Sequence, residues 1–247
     1  NKKLYKRMKR IFIILALIPM LTACDPATVQ KVLDTASGLA DTPLTQEQIG
    51  QGLKQALEIG ISEGAAKLSQ EDGYFKSPYK ILLPEEARKV TDKLQNIPGF
   101  SQVEDVILEK INRGAEDAAK KATPIFVDAI KQMSFKDATN ILMGGQKDAA
   151  TQYLNQATYD KLYAEFTPVI IASLDKFNAR KYWGDAVDKY NKIPLVQDVN
   201  PSLEDYVTKQ ALMGLFSMVE KKELDIRENV AARTTDLLKK VFAKQDS

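Results

Sequence analysis

From Asp25 onward the apolar residues of this chain recur with a period close to 3.6, which favours helices. Ile49, Leu53, Leu57, Ile61 and Leu68 fall on one stripe, Val103, Ile107 and Ile111 on a second, and Leu203, Val207, Leu212, Leu215 and Val219 on a third. Helix starts are marked between the stripes. Thr45-Gln46-Glu47-Gln48 and Ser101-Gln102-Val103-Glu104 have capping-box spacing. Asp25-Pro26, Thr123-Pro124, Thr167-Pro168 and Asn200-Pro201 place a capping residue before proline. Asn96-Ile97-Pro98-Gly99, Gly144-Gly145 and Ile193-Pro194 read as stops. Ile81-Leu82-Leu83 is the one short apolar run outside a helical pattern. The expected fold is all-α, a multi-helix, single-core body of roughly ten helices. Gly60 and Gly64 share a helix face, where missing side chains favour a close helix crossing.

The first 23 residues differ from the rest. They hold six bases and no acid, and Ile11–Leu21 is an apolar run about half the ~20 residues of a spanning helix. Leu21-Thr22-Ala23-Cys24 follows, and its cysteine is the only one in the chain. This resembles the bacterial lipobox, in which small residues fit around the scissile bond and the thiol takes a diacylglyceryl group. The expected organisation is a cleaved lipoprotein signal peptide over 1–23, a lipidated N-terminus and tether over 24–44, and a helical domain over 45–247. Met8-Lys9-Arg10 would also make a normal beginning. The implied partner is a membrane, held through acyl chains on Cys24. The implied location is the bacterial cell envelope, facing the periplasm, with inner and outer membrane left open.

Charge and composition narrow the chemistry. The formal net charge is +2, but without the leader's six bases, 29 bases face 33 acids. The body is mildly acidic, so nucleic acid is not an expected partner. The absence of histidine excludes Ser-His-Asp and Cys-His catalysis and His-ligated metals. A single cysteine excludes an intrachain disulfide and a cysteine-rich zinc site. No cofactor or metal is implied. The carboxylate pairs Glu85-Glu86, Glu104-Asp105, Glu116-Asp117 and Glu204-Asp205 are each adjacent in sequence. On a helix such neighbours diverge by about 100°, so no catalytic pair is assigned.

Two segments supply candidate binding residues. Asp72–Lys80 joins two helices and carries Tyr74, Phe75 and Tyr79 with Lys76 and Lys80. It either presents an exposed aromatic surface or folds Tyr74 and Phe75 over the core. Near the C-terminus, Arg233 stands beside Thr234, Thr235 and Asp236. A guanidinium there can hold a carboxylate or phosphate by paired hydrogen bonds, or serve the body internally while a threonine caps the last helix. Gly144-Gly145 precede a helix start, where backbone N–H groups can hold an anion, although the phosphate-loop spacing is missing. Tyr159, Tyr163, Phe166, Phe177, Trp183 and Tyr190 concentrate between residues 153 and 190, either as core or as the lining of a pocket for an apolar or sugar-like ligand.

Gln55–Ile61, Asp72–Phe75, Leu83-Pro84-Glu85-Glu86, Pro124–Met133, Ala149–Tyr153, Asn200–Val207 and Ala231–Leu238 together resemble the uncharacterised bacterial lipoprotein family filed as domain of unknown function 4197. The resemblance covers residues 45 to 243, with Val230 where proline is expected. It implies an exported helical protein and no established activity or ligand. The expectation is a lipid-anchored, non-enzymatic helical module that binds an unidentified envelope protein or small ligand. The alternatives are an envelope hydrolase using carboxylates or a Ser/Lys pair, and a carrier of apolar ligands.

Overall fold

The computed structural model describes residues 43–176, 178–199 and 202–243. The leader, Cys24, the 24–44 tether up to residue 42, Phe177 and the Asn200-Pro201 cap lie outside the described residues. Among the described residues there are nine α-helices, one 3₁₀ turn and no strand. In chain order they are α1 (Gln46–Leu68), α2 (Glu85–Leu94), α3 (Val103–Ala119), α4 (Ala122–Gln132), α5 (Phe135–Met143), α6 (Ala149–Lys176), α7 (Ala179–Asn191), α8 (Glu204–Glu228) and α9 (Asp236–Phe242). The 3₁₀ turn, Val230–Ala232, joins the last two.

The three longest helices, α1, α6 and α8, organise the core. α8 packs against both α1 and α6; α4 and α5 contact α1 and α6, and α9 contacts α1. Beside them, α2, α3 and α7 pack on one another, and α3 and α7 lean on α6. All three sequence stripes are buried, with Leu53, Ile107, Ile111 and Leu215 no more than 1% exposed. Gly60 and Gly64 lie where α1 crosses α8: a methyl on Gly64 would sit 2.9 Å from Met218 Cγ, and one on Gly60 3.3 Å from Lys222 Cβ. Among the described residues no helix is long and apolar enough to cross a membrane.

The helix-start signals fare unequally. Thr45 forms its capping box: its hydroxyl accepts from the Gln48 N–H at 3.2 Å, and its own N–H donates to the Gln48 side chain at 3.0 Å. The Ser101 box does not form. α3 starts at Val103 with Gln102 as an uncapped N-cap, and Glu104 instead accepts from the Thr91 hydroxyl at 3.2 Å. Thr123-Pro124 lies inside the first turn of α4, where proline's missing N–H costs nothing. Thr167-Pro168 starts no helix at all; α6 runs through it. Thr158, Leu162, Phe166, Ile170 and Leu174 are buried on both sides of the proline, so packing outweighs the lost backbone bond. Pro168 itself faces solvent.

Candidate functional site

The structure places the Asp72–Lys80 segment against the core. Tyr74 is fully buried, and its hydroxyl donates to the Ala211 carbonyl at 2.7 Å. α8 makes room for the ring with Gly214, where a methyl would lie 2.9 Å from Tyr74 Cε1. The Glu116 carboxylate, buried on α3, accepts the backbone N–H groups of Tyr74 and Phe75, both at 3.1 Å. Its other oxygen accepts from Arg113 at 2.8 Å, and Arg113 reaches Asp72 at 2.8 Å. Burial alone would lower the Arg113 pKa, but the hydrogen bonds to Glu116 and Asp72 raise it overall. The ammonium of Lys76 and then the guanidinium of Arg113 hold the Asp72 carboxyl below its ordinary value.

Phe75 is half-buried, with Lys80 Nζ 4.8 Å and the Arg113 guanidinium 5.3 Å from its ring centre. Tyr79 is also half-buried, its hydroxyl 3.8 Å from Met218 Sδ. Burial pushes its phenol up. Only Lys80 of the four is exposed. An open aromatic surface therefore does not describe this segment: Tyr74 is core, and Phe75 carries the two cations as a cover.

Arg233 is 2% exposed. Its Nε donates to the Ile226 carbonyl at 3.0 Å and a terminal nitrogen to the Arg227 carbonyl at 2.8 Å, closing the end of α8. The guanidinium also lies 5.8 Å from the Phe242 ring centre. The helix end takes the hydrogen bonds that an acidic ligand would need, so recognition from solution does not describe Arg233. Thr234 is exposed, and Asp236 pairs with Lys239 at 3.6 Å on the surface. Thr235 is the cap of α9, accepting from the Leu238 N–H at 3.2 Å. The N–H groups after Gly144-Gly145 do hold an anion, supplied by the chain itself. Glu223 accepts from the Ala150 and Thr151 N–H groups at 3.0 and 2.8 Å, and Arg227 pairs with the same carboxylate.

The aromatic concentration divides. Tyr159 stacks on Tyr163 and on Phe216, and Phe166 is buried. Trp183 and Tyr190, both on α7, instead line an open cleft of about 290 Å³ beside α2 and the start of α8. The apolar wall is Pro84, Ala87, Val199 and Leu203. The polar rim is Glu86 and Lys89 from α2, Gln197 and Asp198 from the α7–α8 loop, and Ser202 and Tyr206 at the start of α8.

Buried polar groups fix these walls. Asn112, wholly buried on α3, accepts the Ile81 N–H at 2.8 Å and donates to the Ile81 carbonyl at 2.9 Å, pinning the chain that enters α2. Asn191, the last residue of α7, clamps Val199 in the same way. The Tyr206 hydroxyl donates to the Leu82 carbonyl at 2.8 Å. Burial raises the Tyr206 phenol, opposed by Arg88 and aided by Glu86. Among the described residues, the Trp183 indole N–H is buried without a hydrogen-bond partner. Leu195, at the tip of the α7–α8 loop, has left-handed φ (65°) and is fully exposed.

Of the residues that line the cleft, Trp183 and Tyr190 stand out in the sequence as pocket candidates, whereas Glu86, Lys89, Gln197, Asp198, Ser202 and Tyr206 do not. Pro84, Glu86, Ser202, Leu203 and Tyr206, which belong to two of the segments that carry the family resemblance, line this cleft, and that is the signal in the sequence that points to it. Among the described residues no group of three or more acidic or cysteine side chains could hold a metal.

Fold and cleft together define an all-α domain with a polar-rimmed cleft beside its α2–α7 packing. The chain belongs to the family described as protein of unknown function DUF4197, which it matches over residues 43–243. Neither a curated protein nor a solved structure matches it.

Proposed function

We propose that this protein is a lipid-anchored component of the bacterial cell envelope whose helical body binds a partner or small ligand without catalysing a reaction. The lipobox ending at Cys24 supports the anchor. One observation carries the binding role: a concave cleft of about 290 Å³ in which polar side chains converge beside apolar ones. The test has two parts. Wild-type protein is expected to begin at an acylated Cys24 and to partition with membranes, and Cys24→Ser to do neither. Intact mass showing residues 1–23 and a free thiol would overturn the anchor. For the binding role, Ser202→Phe narrows the cleft from its rim. It is expected to keep the fold and lose whatever native mass spectrometry finds bound to the membrane-purified wild type.

A second reading, hydrolysis, has support in the same place. Glu86 and Asp198 line one cleft, and so do Ser202 and Lys89. Both carboxylates are exposed, whereas the acid of a glycosidase relies on an apolar enclosure. Lys89 is exposed and lies 3.5 Å from Glu85, whereas a lysine base relies on desolvation. Turnover of a glycoside or ester that Glu86→Gln or Ser202→Ala abolishes would establish the hydrolase instead.

A further inference from the structure

We propose that the cleft takes an uncharged polyhydroxylated ligand, a single sugar ring with its neighbour in the open mouth. This rests on the binding role above and names the class of ligand. Charge argues first. An anion entering the cleft meets the carboxylates of Glu86 and Asp198, and the Lys89 ammonium that would offset them lies 3.5 Å from Glu85. The two helix starts that reach the cleft, of α2 and α8, already carry Glu85, Glu86, Glu204 and Asp205 in their first turns. Their positive ends are thus already compensated. A neutral ligand avoids that repulsion, and hydrogen bonding separates it from a cation.

Hydrogen bonding argues second. The rim mixes groups that only accept, groups that only donate and groups that do both. Carboxylates accept, Lys89 donates, and Gln197 does both. The Tyr206 hydroxyl already donates its hydrogen bond to the Leu82 carbonyl, so it offers a ligand its lone pairs. A hydroxyl that donates and accepts suits every one of these, whereas an alkyl chain suits none and would desolvate them without return. Half-buried Pro84 and Val199, backed by buried Ala87 and Leu203, give the C–H face of a pyranose an apolar surface. The volume, about 290 Å³, lies at the small end of ligand sites and suits one ring.

Trp183 is the single tryptophan of the chain and lines the cleft, so its emission reports occupancy. The full chain is titrated with glucose, N-acetylglucosamine and the N-acetylglucosamine disaccharide, with sodium acetate and tetramethylammonium chloride as charged controls. A saturable change with at least one sugar is expected, half-complete on the order of 1 mM for a single ring, as the per-atom efficiency of small ligands implies. Asp198→Ala, at an exposed position, is expected to weaken that sugar about tenfold, the loss of a hydrogen bond to a charged group. Ser202→Phe is expected to abolish the response while the circular dichroism spectrum stays that of the folded helical protein. Saturation by acetate or tetramethylammonium in place of sugar would overturn the class. So would silence toward every sugar, in emission and in saturation-transfer NMR, at roughly ten times that concentration. If sugars fail while Ser202→Phe still strips a bound component from the native protein, the binding role stands and only the sugar assignment falls.

Discussion

Asn191 holds Val199 by both of its backbone groups: the side-chain amide donates to the Val199 carbonyl at 3.1 Å and accepts its N–H at 3.0 Å. One side chain thereby substitutes for a strand neighbour and fixes the loop that carries Gln197 and Asp198 to the cleft rim. Asn191→Ala is expected to cost about 1–2 kcal/mol, two net hydrogen bonds at part-buried positions. Amide exchange should quicken at Val199 while α6 and α8 keep their protection. Uniform loss of protection would mean that the clamp supports the whole body.

Tyr74 and Glu116 do the equivalent work for the Asp72–Lys80 segment. Glu116→Ala removes the acceptor of two backbone N–H groups while Arg113 keeps Asp72 at 2.8 Å, so a loss of about 2–4 kcal/mol is expected from the two donors left unpaired. Tyr74→Ala should cost a similar ~3–5 kcal/mol by cavity formation. Phe75→Ala, at a half-buried ring touched by two cations, should cost only about 1–2 kcal/mol. Urea denaturation of the three variants checks the order.

Both ends of the pH scale should register this segment. Burial, with the nearby Glu116 carboxylate adding to it, raises the Tyr74 phenol above its ordinary 10.0. The folded protein keeps that proton when the unfolded chain has lost it. Its contribution is complete below pH 10 and declines as the pH rises beyond that. Asp72 has the opposite sign. Its carboxyl lies below 3.8 when folded, so its contribution is present above that pH and is lost as the pH falls through the folded value. Tyr74→Phe should flatten the alkaline limb alone and Asp72→Asn the acid limb alone, as read by stability curves against pH.

The parts of this fold legible in the sequence are those written locally. The 3.6-residue stripes and the Thr45 box need only neighbours three or four positions away. Pro168 misleads for the opposite reason: whether a proline stops a helix depends on burial of Phe166 and Ile170, which the flanking sequence does not encode. The cleft is harder still. Glu86, Trp183, Asp198 and Tyr206 come from four segments that meet through Asn112, Asn191, the Tyr206–Leu82 hydrogen bond and helix packing. Arg233 looked like a ligand-binding residue because a guanidinium beside two threonines has the same local appearance whether it faces solvent or the end of α8.

That placement makes a prediction for Arg233→Lys. A guanidinium spans the Ile226 and Arg227 carbonyls from two different nitrogens. An ammonium concentrates its donors at one point and cannot lie flat near Phe242. The change is expected to cost about 1–3 kcal/mol, through carbonyls left unpaired in a buried site. A thermal melt unchanged from wild type would show that the end of α8 does not depend on the guanidinium's two-nitrogen geometry.

Glu223 offers the sharpest test of how α6 begins. Its carboxylate accepts the Ala150 and Thr151 N–H groups and the Thr151 hydroxyl, the last at 2.8 Å, while Arg227 pairs with it at 2.7 Å. An anion at a helix start is favoured by the unpaired N–H groups and by the helix dipole. Here it arrives from α8, so the start of the longest helix is tied to the far end of another. Glu223→Ala strands a buried guanidinium and buried donors together, and about 3–5 kcal/mol should be lost. Glu223→Gln keeps one acceptor oxygen but brings an amide toward Arg227, so an intermediate loss is expected. Thr151→Ala removes only the hydroxyl and should cost about 1 kcal/mol. The double variant Glu223→Ala/Thr151→Ala should fall short of the sum of the singles, because both delete the same hydrogen bond. Full additivity in a double-mutant cycle would show that the hydroxyl and the carboxylate act independently, and that the backbone N–H groups and Arg227 hold Glu223 without the hydroxyl.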